Sequence, residues 1–173
     1  TRANKINADR AALELKIELL DLNTIIKKAI RNIELQLNKK NGEISLDLKA
    51  NNTLIEADKI HITNVIYNLL DNAIKYAKGS PIVKIESSDV INGVIIKIKD
   101  NGIGIAKEHQ LKIFEKLYRV PTGDIHNVKG FGLGLSYVKS IIEKLKGNIK
   151  VESNLGDGST FIIELIAAKQ IIQ

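Results

Sequence analysis

The spacing of apolar positions divides the 173-residue chain into alternating helices and strands. Over 5–20, "KINADRAALELKIELL" sets Ala, Leu and Ile on one side of a helix. A second helix is expected over 22–40, where Ile25, Ile26, Ala29, Ile30, Ile33 and Leu37 recur at helical spacing. Asp21 or Asn23 supplies its cap, and Asn41-Gly42 ends it. "EISLDL" alternates as a strand, and "NTLIEAD" makes a second, short one. Asp58 caps a long helix over 59–77, with Ile62, Ile66, Leu69, Leu70, Ala73, Ile74 and Ala77 as its apolar stripe. "IVKIESSDV" and "GVIIKIKD" are strands joined by the hairpin signal Asn92-Gly93. A short helix is expected over 106–117. The stretch 118–132, "YRVPTGDIHNVKGFG", has no apolar period, and a loop of that length in a compact domain is usually a functional lid or disordered. The helix 133–147 follows, then the strands "NIKVES" and "STFIIELI" around the turn "NLGDG". Hairpin-joined strands alternating with helices predict an α+β sandwich, one mixed sheet with its helices on one face.

Composition narrows the function classes. A chain of this length buries about 70% of its unfolded surface and needs no staples. It has no cysteine, which excludes disulfides, a thiol nucleophile and a zinc knuckle. No methionine stands even at position 1, as expected of a piece cut from a longer protein. No apolar run reaches the roughly 18 residues of a membrane span, so the piece is expected to be soluble and cytosolic. The net charge of +6 suits phosphate-bearing ligands. With aromatics at only 4% of residues, base-stacking platforms are scarce, and nucleic acid is not an expected partner.

Four stretches carry candidate chemistry. On the helix 59–77, Asn64, Asn68, Asn72 and Lys75 share the face opposite the apolar stripe. Asparagine is a modest helix former, so such a row suggests amide oxygens for a hard cation beside a phosphate-binding lysine. In "KIKDNGIGIA", Asp100 ends a strand before a turn made by Gly102 and Gly104. A carboxylate there accepts from the amino group of adenine, whereas guanine presents an oxygen. The spacing does not fit a calcium loop. Gly130, Gly132 and Gly134 are spaced G-x-G-x-G, which fits neither the dinucleotide fingerprint nor the P-loop. What remains is a mobile loop with backbone amides and a helix N-terminus, near 133–136, for phosphate. The last stretch is the turn "GDGSTF", 156–161.

In this order and at these intervals, the stretches resemble the catalytic ATP-binding domain of sensor histidine kinases. That family belongs to a superfamily shared with gyrase, the heat-shock chaperone and the mismatch-repair ATPases. "NVIYNLLDNAIKYAKG" is similar to its N box, "DNGIGI" to G1, "IFEKLYR" to the F box, "GFGLGL" to G2 and "GDGSTF" to G3. The resemblance covers about 22–166 and implies a Bergerat-type sandwich with a mostly antiparallel mixed sheet. Residues 1–20 resemble the helical end of a missing dimerisation hairpin, 21–168 the catalytic domain and 169–173 a tail.

The resemblance also implies roles. Asn68 and Asn72 would hold Mg²⁺, Lys75 would contact phosphate, and Tyr76 would line the nucleotide pocket. Asp100 would bind the adenine amino group, with Gly102, Gly104 and Ile105 close to the base. Tyr118 would border the site and Arg119 would approach the terminal phosphate. Lys129, Gly130, Gly132, Leu133, Gly134 and Leu135 would form the ATP lid. Ser159 or Thr160 would support the adenine end. Asn68, Lys75 and Arg119 would carry the transfer step.

Water-splitting members of the superfamily have a glutamate where this chain has Asn68. An amide is no base near neutral pH, so transfer to an outside nucleophile is expected. In the family that nucleophile is a histidine followed by an acidic residue. His61, His109 and His126 are followed by Ile62, Gln110 and Asn127, so none fits. The phosphoacceptor would lie on the family's own dimerisation domain, with a response-regulator receiver as the onward partner. The parent would be a homodimeric inner-membrane sensor and this piece its cytoplasmic part, monomeric by itself. The remaining readings are a serine kinase acting on a small regulatory protein, an ATP-sensing module without transfer, and a nucleic-acid binder.

Overall fold

A computed structural model of the chain describes residues 13–121 and 134–169. Among the described residues the first element is a strand, β1 (Ile17–Asp21), and the helix α1 (Leu22–Lys39) follows without a break. Then come β2 (Glu43–Leu48), β3 (Leu54–Asp58), α2 (Lys59–Lys75), β4 (Ile82–Val90) and β5 (Gly93–Asp100). Two single 3₁₀ turns, Lys107–His109 and Lys112–Phe114, precede the residues outside the description. The helix α3 (Gly134–Lys144) and the strands β6 (Asn148–Ser153) and β7 (Ser159–Ile166) complete the fold.

Five strands form one sheet in the order β2-β4-β5-β7-β6. Only β2 and β4 run parallel, and every other neighbouring pair is antiparallel. Strand alternation puts Val83, Ile85, Ile96, Ile98, Phe161 and Ile163 on the helix-covered face. The helices meet that face with the stripes their sequences predict. Ile25, Ile26, Ala29 and Ile33 of α1 and Ile62, Ile66, Leu69, Leu70 and Ala73 of α2 are all at most 2% exposed. The sandwich of helices on a mixed, mostly antiparallel sheet is therefore the architecture expected from the sequence.

Two local expectations are corrected. Residues 17–20 are not the end of a helix, so the helical linker expected over 1–20 does not reach its C-terminal boundary. Their backbone pairs antiparallel with β3, from Ile17↔Asp58 to Asp21↔Leu54. Leu20 packs on the core beside Ile55 and Ala57, while Ile17 and Leu19 face outward. That pairing partner lies more than 30 residues downstream, beyond what local periodicity can register. Residues 1–12 and 170–173 lie outside the described residues. The expected helix 106–117 is instead the two 3₁₀ turns. Gln110 ties them down by donating from Nε2 to the carbonyls of Ile105 (2.8 Å) and Ser153 (2.9 Å). Leu117 at φ +66° breaks any helical continuation.

Asp58 fixes where α2 starts. Its Oδ1 accepts from the amides of Ile60 and His61, each at 3.0 Å, and its Oδ2 accepts from Lys16 at 2.8 Å. Burial pushes this carboxyl up, but the three amides and nearby His61 outweigh it and hold it below its ordinary 3.8. The stabilisation is therefore complete above that ordinary value and is lost as pH falls through the lowered one. Replacing Asp58 with Ala is expected to destabilise the fold by about 2 kcal/mol, at the upper end for a lost N-cap, because Lys16 is released too. Urea unfolding at neutral pH measures this, and the difference from wild type should shrink in strong acid.

Candidate functional site

A cavity of about 220 Å³ opens between the polar face of α2 and the ends of β5 and β7. Asn68, Asn72 and Lys75 line it at i, i+4 and i+7, so they stack on one wall. Asn64, one turn earlier, is exposed and stays outside. Its carbonyl accepts from Asn68 Nδ2 at 2.7 Å. That bond orients the Asn68 amide and leaves Oδ1 as the acceptor on the side of Gly134, where a Cβ on the glycine would sit 3.2 Å from it.

The opposite end is built around Asp100. The strand β5 ends there, and the chain turns back so that Gly102 bridges to Ala77, just past α2. The amide of Ile103 also donates to the carbonyl of Tyr76. Asp100 Oδ1 accepts from the amides of Gly102 (2.8 Å) and Ser159 (3.1 Å). Both bonds fall on one oxygen, so Oδ2 keeps its acceptor capacity toward the cavity. Burial raises the Asp100 pKa above 3.8, and the two amides only partly offset it.

Ser159 is positioned by hydroxyl logic. Ser153 Oγ donates its one proton to the Gly158 carbonyl (2.7 Å) and accepts from Ile105 (2.8 Å). The Ser159 hydroxyl, 2.9 Å away, must therefore be the donor of the pair. Thr160 is a correction: it does not line the cavity. Alternation along β7 turns Ser159 and Phe161 inward and Thr160 to the outer face, opposite Lys99 and Glu152.

The third wall comes from Tyr118 and Arg119, and the last from Gly134 and Leu135 at the start of the described part of α3. The Tyr118 hydroxyl meets His109 Nδ1 at 2.5 Å, which gives this histidine a structural part. His61 Nδ1 likewise meets Tyr137 at 2.6 Å and ties α2 to α3 away from the cavity. Tyr76, Gly102, Gly104 and Ile105 also line the cavity, so the expected site residues within the described range converge there, with Asn64 and Thr160 left outside. Lys129, Gly130, Gly132, Leu133 and His126 lie outside the described residues.

Sequence reasoning missed Asp71, Ile103, Ile113, Val120 and Phe161, which also line the cavity. The apolar members carried no signal, because they resemble core residues. Asp71 did carry one: it sits at i+3 from Asn68 on the same helical face. Its carboxylate pairs with Lys75 at 2.6 Å.

The donor set fits a hard divalent cation. Asn68 and Asn72 supply neutral oxygens in a polar wall, which suits an ion that keeps waters and takes phosphate oxygens for the rest. Among the described residues, no group of three His, Cys, Asp or Glu side chains offers a rival site.

Comparison with known proteins agrees with this geometry. A family model described as histidine kinase-, DNA gyrase B- and HSP90-like ATPase matches residues 57–169. The sensor protein RprX of Bacteroides fragilis is 48% identical over 159 residues, 91% of this chain and 31% of that protein. The chain thus spans about a third of that relative's length. The solved catalytic domain of histidine kinase ThkA is 28% identical with a TM-score of 0.76, covering 88% of this chain and 97% of that one. A structure of ThkA in complex with the response regulator protein TrrA is 26% identical with a TM-score of 0.74, covering 96% of this chain and 48% of that one.

Proposed function

The chain belongs to the histidine kinase-, DNA gyrase B- and HSP90-like ATPase family, and from that premise we propose that it is the ATP-binding catalytic unit of a sensor histidine kinase. The observation that carries the reading is the single cavity joining the α2 amide row, Asp100 with one oxygen in reserve, and Arg119. Asp100 Oδ2 accepts from the adenine amino group, and the strand end and the Gly102 turn fix the plane of the base. Lys75, paired with Asp71, would donate to a phosphate oxygen, Arg119 would face the phosphate charge, and the amide oxygens of Asn68 and Asn72 would hold Mg²⁺. When bound, magnesium would offset the negative charge that develops on the phosphates during transfer.

Asn68 cannot remove a proton from water, and its Nδ2 is already engaged with Asn64. The γ-phosphate is therefore directed to a histidine supplied by a dimerisation hairpin. A response-regulator receiver is the onward partner, by likeness to the ThkA complex. The catalytic unit is proposed over 21–168, with the preceding residues of β1 joined to it through their pairing with β3. The parent is a dimeric membrane sensor with this unit on its cytoplasmic side.

Calorimetric titration with ATP, ADP and magnesium tests binding. Incubation with radiolabelled ATP and the parent's hairpin tests transfer. Acid-labile, base-stable label on the hairpin is expected. Acid-stable label would indicate a serine kinase instead, and binding without label would indicate a sensing module.

The raised Asp100 pKa gives a pH prediction. Base recognition needs the ionised acceptor, which is present above that pKa. Affinity for ATP and adenosine should thus fall together as pH drops through it, starting at milder acidity than for an ordinary carboxylate. Titrations across the acid range measure this. An adenosine affinity that stays flat until the protein unfolds would contradict the role of Asp100.

A further inference from the structure

We propose that Asp71 makes nucleotide binding by this chain depend on a divalent cation; the inference rests on the nucleotide reading above. Among the described residues, four charged side chains line the cavity: Lys75 and Arg119 against Asp71 and Asp100. Asp100 belongs to the base end, where backbone amides hold it. Asp71 stands in the phosphate wall, directly before Asn72 and on the face of Asn68. It is not an ordinary surface brace. Its side chain is 16% exposed and Lys75 is 35% exposed, and both border the cavity.

A carboxylate beside a polyphosphate site has two effects of opposite sign. Pairing at 2.6 Å cancels the charge of Lys75, so the pair presents no net positive charge to a phosphate. Phosphates without a metal then meet the Asp71 carboxylate with the charge of Lys75 already neutralised. A divalent cation reverses the balance. Asn68 and Asn72 are neutral donors and attract a cation only by dipole, whereas the nearby carboxylate attracts it by full charge, an interaction only partly screened in a half-buried wall. The same side chain thus weakens metal-free nucleotide and strengthens the metal complex. Asp71 is a positioning and charge-setting residue here, acting through Lys75 and the cation, and no proton transfer is assigned to it.

The experiment is calorimetry on the 173-residue chain with three probes: ATP with EDTA, ATP with excess magnesium, and adenosine. In Asp71→Asn, metal-free ATP should bind about 10-fold tighter and magnesium ATP more weakly, so the ratio of metal-free to magnesium Kd should fall by more than that factor. Adenosine affinity should stay at the wild-type value, because no phosphate is present. Asp71→Glu keeps the charge and should keep most of the wild-type ratio. A ratio in Asp71→Asn equal to wild type, whether or not Tm drops, overturns the proposal and leaves the pair as a helix brace. If the wild type binds adenosine and ATP but the ratio ignores residue 71, this inference alone fails. If the wild type binds neither, the nucleotide reading fails and takes the inference with it.

Discussion

Replacing Asp100 with Asn is expected to weaken ATP and adenosine binding by at least about 100-fold, with the fold intact. The substitution keeps shape and volume, so it tests chemistry. In wild type, Oδ1 takes the amides of Gly102 and Ser159, and Oδ2 is left for the base. Asparagine can keep those two bonds only by turning its NH₂ toward the cavity, where it meets the adenine amino group donor to donor. Turning the other way sets the NH₂ against the two backbone amides. Either arrangement leaves desolvated donors unpaired, at about 1–3 kcal/mol each. The same reversal favours a carbonyl on the base, so the preference for ATP over GTP should narrow or invert. Calorimetry with both nucleotides measures it, and ATP affinity within threefold of wild type would show that Asp100 does not contact the base.

The second large effect is expected at Gly104. Its φ is +73°, and an added Cβ would lie 2.0 Å from the Asn154 carbonyl oxygen. The sequence suggests that this glycine lets the chain pass close to a base. The clash shows a further reason: the turn after β5 is pressed backbone to backbone on the turn between β6 and β7. The Gly156 amide donates to the Ile103 carbonyl (2.7 Å), and Ile105 donates to Ser153 (2.8 Å). Gly104→Ala must pull these turns apart and carry Ser159 away from Asp100. The left-handed backbone and the overpacking together should cost about 2–5 kcal/mol. In a domain of this size that lowers Tm by roughly 10 °C. Nucleotide binding should be lost even in molecules that stay folded. Thermal unfolding and calorimetry on the variant measure both, and an unchanged Tm would mean that the two turns are not mechanically joined.

Much of the site was legible before the fold was known. Asn68, Asn72 and Lys75 announced a shared face because helical spacing is a local property. Asp100 and its glycines announced a turn at a strand end for the same reason. Asp71 was passed over because an acid four residues before a lysine reads first as an ordinary helix pair. Phe161 and Ile113 were passed over because cavity walls and core use the same apolar residues. Thr160 was wrongly included because two adjacent hydroxyls look equivalent until the strand's pleat assigns them to opposite faces.

By itself, the sequence determined what depends on neighbours within about one turn or one pleat: the stripes of α1 and α2, the caps at Asp21 and Asp58, and the β4–β5 hairpin. It also determined the identities of the polar groups offered to a ligand. Only the tertiary structure decided that residues 17–21 are a strand, since the backbone bonds that hold it come from β3. Only the tertiary structure brought the carbonyl of Tyr76, the amides of Gly102 and Ser159 and the carboxylate of Asp100 to one point. Hydrogen bonding and burial act between atoms close in space, and no period along the chain encodes which distant segments will meet.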